Sequence, residues 1–352
     1  MSLLFPNEVW LEIFKYFTTK ERLRLRSVCR VWNDLCLLDF NEITLRNNDF
    51  YGEQGFEIVK ENLFRDDRNC DHLCQLIPKA GRSLLSWAII LDKDKLKQEP
   101  RTNKCCQRLV DCLIRHCPNL TDIILINLSK STYLVFERLL LHFSRQLKNL
   151  HLHFDDTCFY PKDDHFARVL RSFENLRELF IRIEVVHRIL PTVYGIRSLE
   201  YLKLDLGIIP GAEMEKSLYL QYLTGHPKLK TFSIEMFDDF SSILQLRRLE
   251  PIKSVERAEI LIEDTELNEP DKGFKSALAN FVHVFPNVSD LFYVDPYVDA
   301  QIIRQQLPKL RRLEKLHVCG YFSQDERESL LKEFKALKHA QFICHRQFWS
   351  NN

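Results

Sequence analysis

The chain has 352 residues, 45% of them hydrophobic and 28% charged, with 50 basic residues against 49 acidic ones. That length allows one large domain or two to three ordinary ones. The balanced charge excludes a general nucleic-acid or membrane-surface binder, which would carry a basic excess. Nine glycines and 13 prolines argue against long flexible linkers. No run of about 18 apolar residues exists to span a membrane, and the opening stretch lacks the basic n-region of an export signal, being interrupted by Asn7, Glu8 and Glu12. The 11 cysteines, an odd number, are therefore read as reduced thiols, and the expected location is cytoplasmic and/or nuclear.

The first predicted elements are three short helices. Pro6 precedes a helix that begins near Asn7, with Val9, Ile13, Phe14 and Phe17 along one side and Trp10 and Leu11 on another. Thr18 and Glu21 have the spacing of a capping box for a second helix. A third carries Val28, Cys29, Trp32 and Leu35. Three short helices cannot bury all of this apolar surface among themselves, so the surplus predicts a partner surface.

The order Phe5-Pro6-x-Glu8-Val9-x-Leu11-x-Ile13-Phe14-x-x-Phe17, followed by Leu23-x-Leu25-x-x-Val28-Cys29-x-x-Trp32, resembles an F-box over residues 4 to about 44. Phe5 stands where the family usually has Leu. The resemblance implies docking on a Skp-type adaptor and, through it, on a cullin-RING scaffold. Phe5, Pro6, Val9, Ile13, Phe14, Leu25, Val28 and Trp32 are the residues expected to form or support that adaptor-binding surface.

Beyond this segment the pattern Leu-x-x-Leu-x-Leu recurs, with aliphatic or aromatic replacements. Early copies are FNEITL from Phe40 and LLSWAI from Leu84. Clearer copies begin at Leu120, Leu147, Leu176, Leu199, Leu229, Val255, Val288, Leu313 and Leu337, so the spacings are 27, 29, 23, 30, 26, 33, 25 and 24 residues. Leucine-rich repeats have periods of roughly 20 to 29 residues. Each copy alternates with period two, as a strand does. Between copies lie helical patterns such as TYLVFERLLLHFSRQ, DDHFARVLRSF, EMEKSLYLQYL, GFKSALANFVHVF, DAQIIRQQL and DERESLLKEF. Neither strand nor helix can bury its apolar face alone, so neighbouring units must stack. The Asn ladder of regular repeats is missing: its positions read Leu128, Asp155, Glu184, Gly207, Phe237, Glu263, Pro296 and Tyr321.

The predicted fold class is therefore α/β: an N-terminal three-helix F-box over residues 1–45, then a degenerate leucine-rich-repeat solenoid over 46–352, with a curved parallel sheet inside and helices outside. The repeats are irregular over 46–117 and clearer over 118–345, and a tail over 346–352, with Phe348 and Trp349, covers the end. An F-box followed by leucine-rich repeats resembles the family of substrate receptors of SCF-type cullin-RING ubiquitin ligases. That resemblance implies a non-catalytic adaptor whose repeats hold a protein substrate for ubiquitination and proteasomal degradation. The alternative is a repeat scaffold for protein interactions without a ligase role.

Enzyme chemistry finds little support. There is no Gly-rich phosphate loop and no Gly-x-Ser-x-Gly elbow. Cys70, His72 and Cys74 resemble half a metal site, with Cys105, Cys106, Cys112 or Cys117 as the other half, yet the spacing fits no common zinc pattern. These are read as core thiols, and His151 with His153 as solvent-facing strand residues. The basic run from Arg304 to Arg312 is read as a solvated helix end. No cofactor, metal, nucleic acid or membrane is expected. The substrate is placed on the sheet face that the repeat leucines leave. That face is predicted to carry Ile124, Ile126, His151, His153, Phe180, Arg182, Tyr201, Lys203, Asp205, Ser233, Glu235, Arg257, Glu259, Phe292, Val294, Lys315 and His317. Phe180, Arg182, Tyr201, Lys203 and Arg257 are expected to grip a protein substrate, because aromatic and Arg side chains anchor interfaces.

Overall fold

The computed structural model describes residues 6–14, 16–17, 25, 28–29, 32, 35, 42–46, 56–59, 74–75, 77–78, 81–82, 84–90, 99–154, 163–182, 190–193, 195–206, 226–237, 250–263 and 277–344. The chain divides into two compact units, Met1–Pro161 with Ser172–Leu176, and Lys162–Arg171 with Arg177–Asn352. Phe5, the second F-box helix at Thr18–Glu21, Cys70, His72, the helical pattern EMEKSLYLQYL and the tail from 346 lie outside the described residues.

In the first unit, helix α1 (Asn7–Phe14) is followed by strands β1 (Glu42–Arg46), β2 (Phe56–Val59), β3 (Ser86–Ile90), β4 (Asp122–Leu128) and β5 (Asn149–Phe154). They form a parallel sheet in the order β2-β1-β3-β4-β5. Helices α2 (Glu99–His116) and α3 (Lys130–Phe143) pack against each other. β2 has no repeat pattern in the sequence and inserts at the sheet's edge next to β1. Ser129 caps α3 in a capping box with Thr132.

The second unit holds β6 (Glu178–Arg182), β7 (Tyr201–Leu206), β8 (Thr231–Phe237), β9 (Arg257–Glu263), β10 (Asp290–Val294), β11 (Lys315–Gly320) and β12 (His339–Cys344), all parallel and in sequence order. Its described helices are α4 (Asp163–Arg171), the short turn α5 (Leu190–Val193), α6 (Leu278–Val284), α7 (Ala300–Gln306) and α8 (Gln324–Glu333). Asp299 caps α7, and Ser323 with Glu326 boxes α8.

From β4 onward each strand begins two residues after the first leucine-type position of its copy, so the period read from the sequence is the period of the fold. The leucine-type positions at Leu120, Ile123 and Leu125, for example, are all buried, as are Leu199, Leu202 and Leu204. Alternate residues such as Ile124, His151 and Phe180 remain half-exposed. Strand alternation thus drives one sheet face into the helices and leaves the other outward. Each unit is a stack of strand-plus-helix repeats of the leucine-rich kind.

The missing Asn ladder has a replacement at the other end of the strands. At Asn119, Gln146, Asn175, Ser254 and Asn287 the residue immediately before the first leucine-type position donates its side chain to a carbonyl of an earlier repeat. Asn119 Nδ2 reaches Arg82 O at 2.7 Å, Gln146 Nε2 reaches Pro118 O at 2.9 Å and Leu120 O at 2.8 Å, and Asn175 Nδ2 reaches Arg145 O at 2.6 Å. In the second unit Ser254 Oγ reaches His226 O at 3.2 Å and Asn287 Nδ2 reaches Lys253 O at 2.9 Å. Backbone amides continue the tie: Ser289 and Asp290 both donate to Glu256 O, and Glu314 and Lys315 both donate to Ser289 O. These side-chain and backbone donors tie successive repeats together without the Asn ladder of regular leucine-rich repeats.

Candidate functional site

Two surfaces are candidates, one in each unit. The first is built on α1. The Pro6 carbonyl accepts from Val9 N at 3.1 Å and Trp10 N at 3.4 Å, which starts the helix one residue after the proline. Phe14 (1% exposed) and Leu35 form a small core, with Trp10, Leu11, Leu25 and Trp32 packed on it. Trp32 sits 4.7 Å from the Trp10 ring and 5.4 Å, edge-on, from Phe14. Such aromatic pairs contribute about 1 kcal/mol each beyond their buried area. The sequence sets Val9, Ile13, Phe14 and Phe17 along one side of α1 and Trp10 and Leu11 along another, with Val9, Ile13 and Phe14 expected to form or support the adaptor surface. The core draws on both sides: Phe14 and the large Trp10, with Leu11, pack inward, while Val9 and Phe17 stay exposed.

What remains outward is Val9 (40% exposed), Val28 (60%), Tyr16 (91%) and Phe17, with Pro6 exposed and Ile13 half-buried. Phe14, Leu25 and Trp32 therefore hold the helices together, while Val9, Val28 and Pro6 present surface. The third helix also begins later than its sequence pattern suggests. Val28 lies in a turn, and Cys29 Sγ accepts from Trp32 N at 3.5 Å, in the manner of a weak N-cap. Tyr16 went unremarked in the sequence reading, since one aromatic past a helix end carries no periodic signal.

The second surface is the outward face of the second unit's sheet. Register brings the five anchor residues together: Phe180 stands beside Lys203, and Arg182 beside Asp205. Tyr201, Thr231 and Arg257 share one row. The Lys203 ammonium lies 5.1 Å from the Phe180 ring centroid, a cation–π contact. Each cation of the face has an acid beside it. Arg182 Nε is 3.2 Å from Asp205 Oδ2, Lys203 Nζ 4.0 Å from Glu235 Oε2, Arg257 Nη2 2.7 Å from Glu259 Oε1 and Lys315 Nζ 3.8 Å from Asp290 Oδ2. Burial, then the nearby Glu259 carboxylate, pushes the Tyr201 hydroxyl above its ordinary pKa. The Phe292 and His317 rings lie 4.6 Å apart and tilted, and burial, then His339, holds the imidazole below its ordinary value. Beside Arg257 a shallow cleft of about 310 Å³ runs along the strand starts between Lys230, Thr231, Asp290 and Lys315.

Three residues expected on this face are not available there: Asp205 (3% exposed), Ser233 and Val294 are buried. Val294 and its register neighbour Cys319 are both covered, so the sheet is enclosed on its outward side as well at that end. The cysteines behave as apolar fillers. Cys105, Cys106 and Cys117 are buried, and burial pushes the Cys117 thiol up to about 12. Among the described residues no group of three or more His, Cys, Asp or Glu could hold a metal ion, and no helix is long and apolar enough to cross a membrane. Arg304 of the basic run donates from Nε to both carboxylate oxygens of Glu333, at 3.0 and 2.9 Å.

Residues 4–41 match the F-box-like family model. No curated protein matches the chain. A crystal structure of a Bacteroides fragilis protein is similar to it with 13% identity over 73% of each chain and a TM-score of 0.44. The Rad7 and Elc1 complex of yeast is similar with 12% identity over 90% of this chain and 88% of that one, at a TM-score of 0.34. Both likenesses are remote. An F-box-like segment followed by leucine-rich-type repeats is an architecture of protein–protein interaction.

Proposed function

We propose that the chain is the substrate-recognition subunit of an SCF-type ubiquitin ligase. On this reading the F-box-like segment docks on a Skp-type adaptor and thereby on a cullin-RING scaffold. The repeats hold a protein substrate for ubiquitination in the cytoplasm or nucleus. The chain itself performs no catalysis; it brings the substrate to the complex.

The observation that carries this reading is the outward apolar set on the matched segment. Val9, Val28, Tyr16 and Phe17 are exposed although the segment has a core of its own around Phe14, Leu35 and Trp32. Apolar side chains left outside a completed core mark a protein interface. On the second unit the half-exposed Phe180, Tyr201, Lys203 and Arg182, with Arg257, form the surface assigned to the substrate.

The experiment is direct binding of the full chain to a purified Skp-type adaptor, followed by reconstitution with cullin and RING subunits. The reading expects a stable complex that Val9→Asp with Val28→Asp abolishes while the repeats stay folded. A full chain that fails to bind the adaptor leaves the repeats as an interaction scaffold and ends the ligase reading.

A further inference from the structure

The near-neutral charge of the whole chain hides a local excess. The turn over 307–315 leads into β11, and the turn over 334–339 leads into β12. Together they carry Lys309, Arg311, Arg312, Lys315, Lys335 and Lys338 against Glu314 alone. The two turns hold a net +5, whereas the whole chain carries +1. All six cations are exposed.

The two turns are neighbours in space. His339 N donates to Glu314 O at 3.3 Å, and Lys315 stands beside His339 in the register of β11 and β12. Neighbouring strands lie about 4.8 Å apart, so the cations share one patch. Arg311 N donates to Lys309 O at 3.1 Å and Leu313 N to Leu310 O at 3.1 Å, which fixes the backbone of the first turn.

The nearby acids are already engaged. Glu314 pairs with Lys338 at 2.7 Å, Asp290 with Lys315 at 3.8 Å and Glu333 with Arg304 at 2.9 Å. Among the described residues no carboxylate pairs with Arg311, Arg312 or Lys335. Helix dipoles do not account for these three. They lie beyond the last helical turns, and Lys332 already complements the end of α8. Like charges held this close repel one another. An anionic partner relieves that repulsion and gains charge-assisted hydrogen bonds, which the planar Arg forks make best.

The surroundings select the kind of anion. The cleft beside Arg257 reaches Glu314 and Lys315, and Glu256 and Asp290 line it on the way. A polynucleotide, charged at every step, would lay phosphates on those carboxylates. A peptide can carry its acids at one end and place uncharged residues in the cleft.

We propose that the turns before β11 and β12 are the docking site for a cluster of Asp or Glu side chains in a partner protein. Arg311 and Arg312 make the principal contacts, and the partner segment runs on through the cleft toward Arg257. Binding here needs no adaptor, so its failure leaves the ligase reading standing, and failed adaptor docking leaves this site standing.

The test is fluorescence anisotropy of the full chain, at low salt, with a labelled peptide that carries a short run of glutamates beside a Gly-Ser stretch. Saturable binding is expected. Arg311→Glu with Arg312→Glu should weaken it at least about tenfold, and Lys104→Glu with Lys148→Glu, the same charge change on the exposed surface of the first unit, less than about twofold. If the reversal alters the melting curve, Arg311→Gln with Arg312→Gln takes its place and should weaken binding at least about threefold. No binding, equal weakening by both double reversals, or tighter binding of oligothymidylate or of phosphatidylserine vesicles than of the peptide each overturns the proposal.

Discussion

Arg182 and Asp205 are direct register neighbours on β6 and β7, with Nε and Oδ2 3.2 Å apart, and the aspartate side of the pair is buried while the arginine side is half-exposed. A buried carboxylate that loses its cation keeps the desolvation cost and loses the compensation. Arg182→Ala is therefore expected to lower stability by about 2 kcal/mol, less than for a fully buried pair because water reaches the arginine. Asp205→Asn in the same background should recover about half of that loss. A double-mutant cycle by urea denaturation measures both. Arg182 is thus a poor place to probe partner binding by charge reversal, and Lys203, half-exposed and with its acid 4.0 Å away, is a better one.

At the F-box-like segment, exposure separates docking residues from supporting ones. Val9→Asp and Val28→Asp should each weaken Skp-type adaptor binding at least tenfold, about 1.4 kcal/mol, without altering the melting curve. Phe14→Ala should remove binding by unfolding the segment, since large-to-small changes at buried aromatics cost about 3–5 kcal/mol. Calorimetric titration alongside circular dichroism distinguishes the two classes.

The side-chain ladder makes a separate prediction. Asn119→Ala and Asn287→Ala each delete one hydrogen bond to an earlier repeat and should cost about 1 kcal/mol apiece. The two sit in different units, so the losses should add. Gln146→Ala deletes two bonds and should cost more than either. If all three variants denature at the wild-type urea concentration, the ladder contributes nothing to stability.

His226 is 1% exposed, and burial pushes its pKa down from 6.5 to about 4. The folded chain then holds the imidazole neutral where the unfolded chain would already protonate it. Stability is unaffected above about pH 6.5, falls as pH drops toward 4, and levels off below that, for a total on the order of 3 kcal/mol. Urea midpoints taken between pH 7 and pH 4.5 should fall more steeply for the wild type than for His226→Gln. Equal slopes would falsify the assignment.

Gly320 ends β11 against Val298. A Cβ there would collide with the Val298 side chain and stand 2.7 Å from the Val298 carbonyl oxygen. Gly320→Ala should cost about 2 kcal/mol by overpacking. Val298→Ala in the same chain removes only the side-chain part of the clash, so thermal denaturation should show incomplete rescue.

The repeat architecture was legible because its signal is cumulative: each copy repeats the same three leucine-type positions, and the strands from β4 to β12 all appear where those copies stand. β2 was not legible, because Phe56–Val59 alone is too short to show alternation. Which apolar side of α1 faces the core is not readable from spacing along the helix, since the packing of Trp10 and Phe14 against Trp32 draws on both. The burial of Asp205, Ser233 and Val294 depends on what covers the sheet's outward side, which strand periodicity does not encode. The five residues proposed to anchor a substrate fall on one face because strand side chains alternate with period two. The ion-pair partners of Arg182 and Lys203 come from neighbouring strands and need the three-dimensional register to be seen, whereas Arg257 pairs with Glu259 on its own strand.

The ladder at the strand starts also decides where the chain can change length. Stacking is tied at one margin, by side-chain donors such as Asn119, Gln146 and Asn287 and by the paired amides that follow the first leucine-type residue. The intervals between successive copies vary from 23 to 33 residues, yet the strands stay in parallel register within each unit. A residue inserted between Asn287 and Val288 would pull the amide away from Lys253 and shift β10 by one place, turning Leu291 and Tyr293 outward. The same residue added after Glu263, beyond the last register pair of β9, would meet no such constraint. Length variation among related chains should accordingly collect after the strands, with each strand start kept constant in spacing.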